Sequence, residues 1–255
     1  MKKSKKLTSV ILAVVVALSV ITIAPFSANA EEISGDYSYS MLDNSKIVIN
    51  KYKGTEKDVS VPEKIDGYEV AEIGEYAFGF NSNVESVVLP KTVQTICSQA
   101  FIQCTNLKSI SLPDTLRTIE GSAFYQCESL DNVLIPDSVE TIEGGAFYVC
   151  DNLTNITLSK NLKVICEETF AHCTNLKSIV IPDSVTTIED NVFYNCTNLE
   201  NITFSSNINI IGHDALDDTL WFKNQPDGLL TIGKDVYKYK GEMPSDTKIV
   251  IDSSI

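Results

Sequence analysis

The chain has 255 residues, of which 34 are acidic and 20 are basic, so its formal charge is −14 at pH 7. A chain this acidic is a poor candidate for binding nucleic acid or anionic membrane surfaces, because both are themselves negatively charged. The acidic residues are spread along the chain and form no block, so solubility is the simplest role of this charge.

The first 30 residues have the organisation of a secretory signal peptide. The basic segment MKKSKK precedes an apolar run from Leu7 to about Phe26, and the small-residue sequence Ala28-Asn29-Ala30 follows. A transmembrane anchor is the alternative, but Pro25 and the small residues favour cleavage after Ala30. We therefore expect a secreted or cell-surface protein with no membrane span after signal removal, and with 16 basic against 34 acidic residues once four lysines are lost.

Residues 31–60 predict a β-hairpin that caps one end of a larger structure. Tyr37, Tyr39 and Met41 alternate with serines, a polar turn follows, and Ile47-Val48-Ile49 completes the pattern. Repeat structures need terminal units of a different kind, because an open end would expose the core.

Residues 61–216 repeat with a period of 23. Isoleucine recurs at Ile73, Ile96, Ile119, Ile142, Ile165, Ile188 and Ile211. Phenylalanine recurs at Phe78, Phe101, Phe124, Phe147, Phe170 and Phe193. Cysteine recurs at Cys104, Cys127, Cys150, Cys173 and Cys196. This periodicity predicts a solenoid of about seven turns, in which the repeated apolar residues stack into one core.

Each unit is predicted to hold two short strands and a helical turn. The first strand has the pattern L-x-x-I-x-L, as at Leu107, Ile110 and Leu112, and a proline ends it in most units. The second strand has the pattern V-x-x-I. The segment A-F-Y-x-C is placed on a helical turn, which would direct its phenylalanine and cysteine to the same inward side.

The recurring pattern IPDSVxTIxxxAFYxCxNLxSI resembles the BspA-like subclass of bacterial leucine-rich repeats. The resemblance covers roughly Val61 to Phe204, although Ser159 and Ser205 replace the proline of the pattern. It implies a β-rich α/β solenoid, coiled right-handed in 23-residue units. It also implies an exported bacterial protein concerned with adhesion or protein binding.

Residues 217–255 are interpreted as a degenerate repeat and hairpin that lead into a further, incomplete repeat. Leu229 to Ile232 and Val236 to Tyr239 predict the two strands of a hairpin. Lys248 to Asp252 resembles the opening of an earlier unit, so we expect the array to continue beyond Ile255.

The cysteines are interpreted as core residues. The five at 23-residue spacing would form an inward column of packing thiols, since buried cysteine behaves as a small apolar group. A disulfide between neighbouring turns is the alternative, because a spacing of about 4.8 Å permits one. Cys97 and Cys166 share a column with Glu120, Glu143 and Glu189, and no tetrahedral metal site is expected from such a column.

No catalytic, cofactor or metal site is predicted. His172 and His213 lack the third, orienting group that a Cys–His nucleophile requires. Glu120 and Glu143 should lie on neighbouring turns, where a bound cation could relieve their repulsion. The alternative is a solvated column screened by water and salt.

The outward residues of the first strand form the predicted binding surface, which we call the strand face. Alternation places residues on either side of each inward isoleucine or valine toward solvent. The candidate binding residues are Ser109, Ser111, Asn132, Leu134, Asn155, Thr157, Ser178, Val180, Asn201 and Thr203. Solenoids commonly bind partners on such an extended surface.

These observations predict an exported, non-enzymatic repeat protein that binds a protein or a polysaccharide. Two alternatives remain at this point. The array could be a passive spacer, or it could be an accessory module of a larger extracellular protein, such as a glycan-degrading enzyme.

Overall fold

The structure is a computed structural model that describes residues 30–245. The apolar run of the predicted signal peptide and the Lys248–Asp252 segment lie outside the described residues, and so do the predictions made for them. Within residues 30–245, no helix has the length and apolar character needed to cross a membrane.

The regular secondary structure of the described residues consists of short strands, apart from one short helix. The N-terminal strands are β1 (Glu32–Ser34), β2 (Tyr37–Met41) and β3 (Lys46–Tyr52). The strands that follow are β4 (Asp58–Ser60), β5 (Lys64–Ile65), β6 (Tyr68–Ile73), β7 (Ser86–Val88), β8 (Thr95–Ile96), β9 (Ser109–Ser111), β10 (Thr118–Ile119), β11 (Asn132–Leu134), β12 (Thr141–Ile142), β13 (Asn155–Thr157), β14 (Val164–Ile165), β15 (Ser178–Val180), β16 (Thr187–Ile188), β17 (Asn201–Thr203) and β18 (Ile210–Ile211). A short helix, α1 (Leu220–Lys223), precedes β19 (Gly228–Ile232) and β20 (Asp235–Lys240).

Two ladders of parallel strands build a β-solenoid of about seven turns. The first ladder contains β4, β7, β9, β11 and β13, followed by the separate pair β15 and β17. The second contains β3, β6, β8, β10 and β12, followed by β14, β16 and β18. From β7 and β8 onward, partners lie 23 residues apart, as in the pairing of Ile119 with Ile142, whereas Asp58 of β4 pairs with Ser86 of β7, 28 residues later. The solenoid predicted from the repeat is confirmed.

The two ends of the array carry antiparallel hairpins. At the N-terminus β2 pairs with β3, and β3 continues into the second ladder by pairing in parallel with β6. At the C-terminus β19 pairs with β20. The Asp235 carboxylate of this hairpin accepts a hydrogen bond from the backbone N–H of Ile211 at 2.8 Å, and Tyr237 donates one to Asp217. The C-terminal hairpin is therefore tied to the last turn by side-chain contacts.

The core is a set of stacked columns, as the repeat predicts. The phenylalanine rings from Phe78 to Phe193 are fully buried, and neighbouring rings stack with centroids 4.9–5.8 Å apart. Burying one such side chain contributes about 1.5–3 kcal/mol. Because each ring is covered by the turns above and below, one unit has no core by itself and stability depends on stacking.

The segment that contains A-F-Y-x-C is not a helical turn, so that prediction was wrong. The backbone N–H groups of Tyr125 and Cys127 donate to carbonyl oxygens three residues earlier. The backbone N–H of Phe124 instead donates to the carbonyl oxygen of Ala146 on the next turn at 2.8 Å. Two residues in each unit have positive φ, such as Ser122 at 56° and Gln126 at 57°. A right-handed helix excludes this conformation, so the segment forms successive tight turns that still direct phenylalanine and cysteine inward.

Both ladders are interrupted at the same place. Among the residues that the structure describes, β13 does not pair with β15 and β12 does not pair with β14. Both interruptions arise where the chain passes from β13 to β14 through residues 158–163, because β12 and β13 lie on one side of the break and β14 and β15 on the other. The rings of Phe147 and Phe170 are 5.8 Å apart here, and those of Phe170 and Phe193 are 5.7 Å apart where β14 and β16 are paired, so the phenylalanine column does not open at the interruption. The turn segments stay bonded, since Phe147 still donates to Thr169 at 2.9 Å.

Candidate binding surface on the strand face

The ten predicted binding residues all lie on strands of the first ladder, and all ten are exposed. They occupy the ends of three-residue strands whose central side chain points inward. The central residues are Ile110, Val133, Ile156 and Ile179, which are buried, and Ile202, which is half-buried. Alternation along the strand therefore produces the exposed surface.

The outward residues form two columns along the solenoid. Ser109 aligns with Asn132, and Asn132 aligns with Asn155. The second column alternates between aliphatic and hydroxyl side chains in the order Val88, Ser111, Leu134, Thr157, Val180 and Thr203. The side chains of Val88, Leu134 and Val180 are 49%, 68% and 63% exposed. The strand face thus carries an aliphatic residue on every second turn.

A groove of about 510 Å³ opens on this face where β13 and β15 are unpaired. Five of the predicted residues line it, and these are Asn155, Thr157, Ser178, Val180 and Thr203. Phe204 and Pro182 add apolar surface, and Lys160 and Asp183 add opposite charges at its edge. Ser109, Ser111, Asn132 and Leu134 lie outside the groove on the continuous ladder, and Asn201 lies outside it on β17.

Charged side chains flank the strand face and pair with one another. Glu85 accepts hydrogen bonds from Lys57 at 2.5 Å and from Lys108 at 2.6 Å. These two hydrogen-bonded ammonium groups lower the pKa of the Glu85 carboxyl to about 2. Lys160 lies 3.3 Å from Asp137. Between these pairs the two outward columns carry no charged residue from β7 to β17.

The five cysteines of the column are buried and form no disulfide with one another. Each of its five sulfur atoms donates to the carbonyl oxygen of the phenylalanine 26 residues earlier, as Cys150 does to Phe124 at 3.3 Å. Burial raises the pKa of the Cys150 thiol well above its usual value. The structure therefore has packing thiols where neighbouring disulfides were the alternative.

Cys97 and Cys166 are half-buried and lie among carboxylates. Burial, followed by the negative charges of Glu120 and Glu72, raises the pKa of Cys97 to about 12. Burial and the neighbouring Glu189 raise that of Cys166 to about 11. Both thiols are protonated at neutral pH, so neither is an activated nucleophile.

The glutamate column serves the backbone. Glu120 accepts the N–H of Ser98 at 2.8 Å, and Glu143 accepts that of Gly121 at 3.0 Å. The carboxylates thus satisfy backbone donors on the preceding turn, which explains their place in the repeat without a bound cation. Within residues 30–245, no group of three or more His, Cys, Asp or Glu side chains is arranged to hold a metal ion.

The histidines lie in unrelated surroundings. His172 packs between the rings of Tyr148 and Tyr194, with centroids 5.2 and 5.4 Å away. His213 lies 3.0 Å from Asp214 near the C-terminal hairpin. Sequence reasoning missed the aromatic stack that contains His172, although Tyr125, Tyr148 and Tyr194 recur at multiples of the 23-residue period.

The family profile of the BspA type leucine rich repeat region matches this chain in six copies, over residues 71–196 and 117–243. No curated protein sequence matches the chain.

Three solved structures show the same fold. The T. pallidum leucine rich repeat protein is 32% identical with a TM-score of 0.67, and the match covers 72% of this chain and 86% of that one. A leucine rich cell surface protein from Faecalibacterium prausnitzii is 30% identical with a TM-score of 0.69, covering 75% of this chain and 53% of that one. A leucine-rich repeat protein from Bacteroides ovatus is 25% identical with a TM-score of 0.57, covering 74% and 57%. Together with the repeat columns and paired ladders, these matches establish that the chain belongs to the BspA-type leucine-rich repeat family.

Proposed function

We propose that this protein is exported and binds a macromolecular partner, most simply another protein, through its strand face. Its role would be non-enzymatic, in adhesion at the bacterial surface or outside the cell. The observation that supports the proposal is that the two outward columns of the strand face are uncharged from β7 to β17 and exposed from β9 to β17, with a groove of about 510 Å³ where β13 and β15 are unpaired.

The proposal of export rests on the N-terminal sequence. The basic segment, the apolar run and the small residues before Glu31 have the order that signal peptidase substrates require. The Faecalibacterium prausnitzii protein that shares this fold is described as a cell surface protein. A surface location is consistent with the acidic, soluble composition of the remaining chain.

The chemistry of the strand face favours a protein partner. Serine, asparagine and threonine offer hydrogen bonds from short side chains, which lose little conformational freedom on binding. Leu134 and Val180 supply exposed aliphatic surface. With paired strands about 4.8 Å apart, Val88 and Leu134 are about 9.6 Å apart, and Val180 follows across the groove where β13 and β15 are unpaired. A partner with apolar side chains at that spacing would cover them while its polar groups meet the intervening hydroxyls.

A direct test uses immobilised fibronectin, laminin and type I collagen as probes. Leu134→Asp combined with Val180→Asp places two charges in the buried part of the interface, and we expect affinity for the bound probe to fall by about tenfold or more. Tyr194→Asp is the matched control, because Tyr194 is 44% exposed and belongs to the turn segment, outside the strand face.

The alternatives give different results in this experiment. A passive spacer or accessory module would bind none of the three probes through the array. Equal binding by the wild type and the Leu134/Val180 double variant would remove the strand face as the site.

A further inference from the structure

A second groove lies at the N-terminal end of the array, away from the strand face. It has a volume of about 520 Å³ and runs between residues 51–55, at the end of β3, and residues 79–83. It shares no residue with the groove beside β13. Its size is in the range of small-molecule sites, which are about 300–1,000 Å³.

Phe80 gives this groove its distinctive character. Its side chain is 60% exposed, and its backbone has a φ of 64°. A bulky residue at positive φ is strained. The matching positions of later turns hold Gln103, Gln126, Val149, His172 and Asn195. Four of these five residues are polar, so the fold does not require an aromatic ring at this position.

Tyr76 supports the ring of Phe80 from one side. The two rings stack with centroids 6.2 Å apart and an interplanar angle of 14°. Phe80 lines the groove and Tyr76 does not. Because Phe80 lines the groove and its side chain is 60% exposed, the part of its ring that Tyr76 does not cover is available to a ligand.

The loop that carries this ring is held in place by backbone contacts. The Lys51 ammonium donates to the carbonyl oxygens of Tyr76 at 3.0 Å and Gly79 at 3.1 Å. The N–H of Phe80 donates to the carbonyl of Ile102 on the next turn at 2.7 Å. A loop fixed before binding loses little freedom when a ligand stacks on the ring that it carries.

Polar groups surround the open ring face. Lys53, Ser82 and Asn83 are exposed and line the groove, so they provide an ammonium, a hydroxyl and an amide group. A hexose ring has one face of C–H groups and a rim of hydroxyls. The C–H face suits an aromatic π surface, and the hydroxyls suit donors and acceptors around it.

We propose that this groove is a saccharide subsite, in which a hexopyranose unit stacks on Phe80 and its hydroxyls bind Lys53, Ser82 and Asn83. Phe80 is the exposed aromatic side chain of the groove, since Tyr52, which also lines it, is 4% exposed, and an open groove with one exposed ring favours a sugar over a peptide. The protein would thus hold a glycan at the end of its array independently of any partner on the strand face.

The test is isothermal titration of the full chain with cellohexaose, laminarihexaose, mannohexaose and hexagalacturonate. We expect at least one of them to bind with a Kd of about 1 mM or below. Phe80→Gln should weaken that binding by about tenfold or more. Glutamine occupies the matching position at Gln103 and Gln126, so the fold should be retained, as an unchanged Tm would verify.

Two control variants show whether binding depends on this groove in particular. Tyr194→Gln removes an exposed aromatic residue elsewhere, and Val180→Asp alters the strand face, so both should bind the saccharide like the wild type. The proposal is overturned if no hexasaccharide binds or if Phe80→Gln binds unchanged. Phe80-dependent binding of peptides from an albumin digest, without saccharide binding, would replace the sugar by a peptide.

Discussion

Substitution of Cys150 tests whether the cysteine column stabilises the fold by packing or by hydrogen bonding. Cys150 is fully buried, and its sulfur donates to the carbonyl oxygen of Phe124 at 3.3 Å. That carbonyl also accepts the N–H of Cys127 at 3.1 Å. Losing the thiol therefore leaves no unsatisfied backbone group, and its main effect should be lost packing.

The expected cost of Cys150→Ala follows from this geometry. Losing the sulfur atom resembles losing one methylene, about 0.8 kcal/mol. A residual void of roughly 20 Å³ adds ~0.5 kcal/mol at about 24 cal/mol per Å³. Cys150→Ser should cost about 1 kcal/mol more than alanine. Its shorter C–O bond cannot reach an oxygen that lies 3.3 Å from sulfur, and a buried hydroxyl without a good partner costs about 1–3 kcal/mol.

Urea unfolding under reducing conditions measures these differences. The predicted order of stability is wild type, then Cys150→Ala, then Cys150→Ser. Cys166 is half-buried, so its alanine and serine variants form a matched pair that should differ little. If Cys150→Ser were as stable as Cys150→Ala or more stable, packing would not be what the column contributes.

Three further predictions concern thiols and carboxylates. Because the pKa of Cys166 is raised to about 11, its thiolate fraction at pH 8 is about 0.1%. Ellman's reagent should therefore react slowly with the native protein. After denaturation without reductant, the reagent should detect seven thiols. The lowered pKa of Glu85 contributes stability above about pH 4.5, and this stability is lost as the pH falls toward 2. Glu85→Gln should therefore flatten the dependence of Tm on pH in that window. An unchanged slope would contradict this prediction. Glu143→Ala should lower the free energy of unfolding by about 1 kcal/mol more than Glu143→Gln in chemical denaturation, because only glutamine keeps an acceptor for the N–H of Gly121. Calcium should not change the Tm of the wild type.

The columns of the core could be predicted from the sequence because packing imposes a strict requirement at those positions. Phe124 and Cys127 must fit between identical residues of neighbouring turns, so the period appears directly in the residue types. The local backbone could not be predicted as well. The spacing of three between these residues suits a helical turn, whereas Ser122 and Gln126 adopt positive φ. Bonds between turns hold these residues in that conformation, so the cause is not local in sequence.

The groove on the strand face shows a different limit of sequence reasoning. Ser159 replaces proline in the loop where both ladders separate, which would suggest that the substitution opens the groove. Ser205 makes the same replacement, yet β16 and β18 pair normally across that turn. A serine at this position is therefore insufficient, and the separation depends on how whole turns stack. The outward columns are equally free of packing requirements, because Ser111 and Leu134 occupy the same column in one fold. Recognition on this face depends on residues that the fold leaves unconstrained, so variants of Leu134 and Val180 should change binding far more than stability.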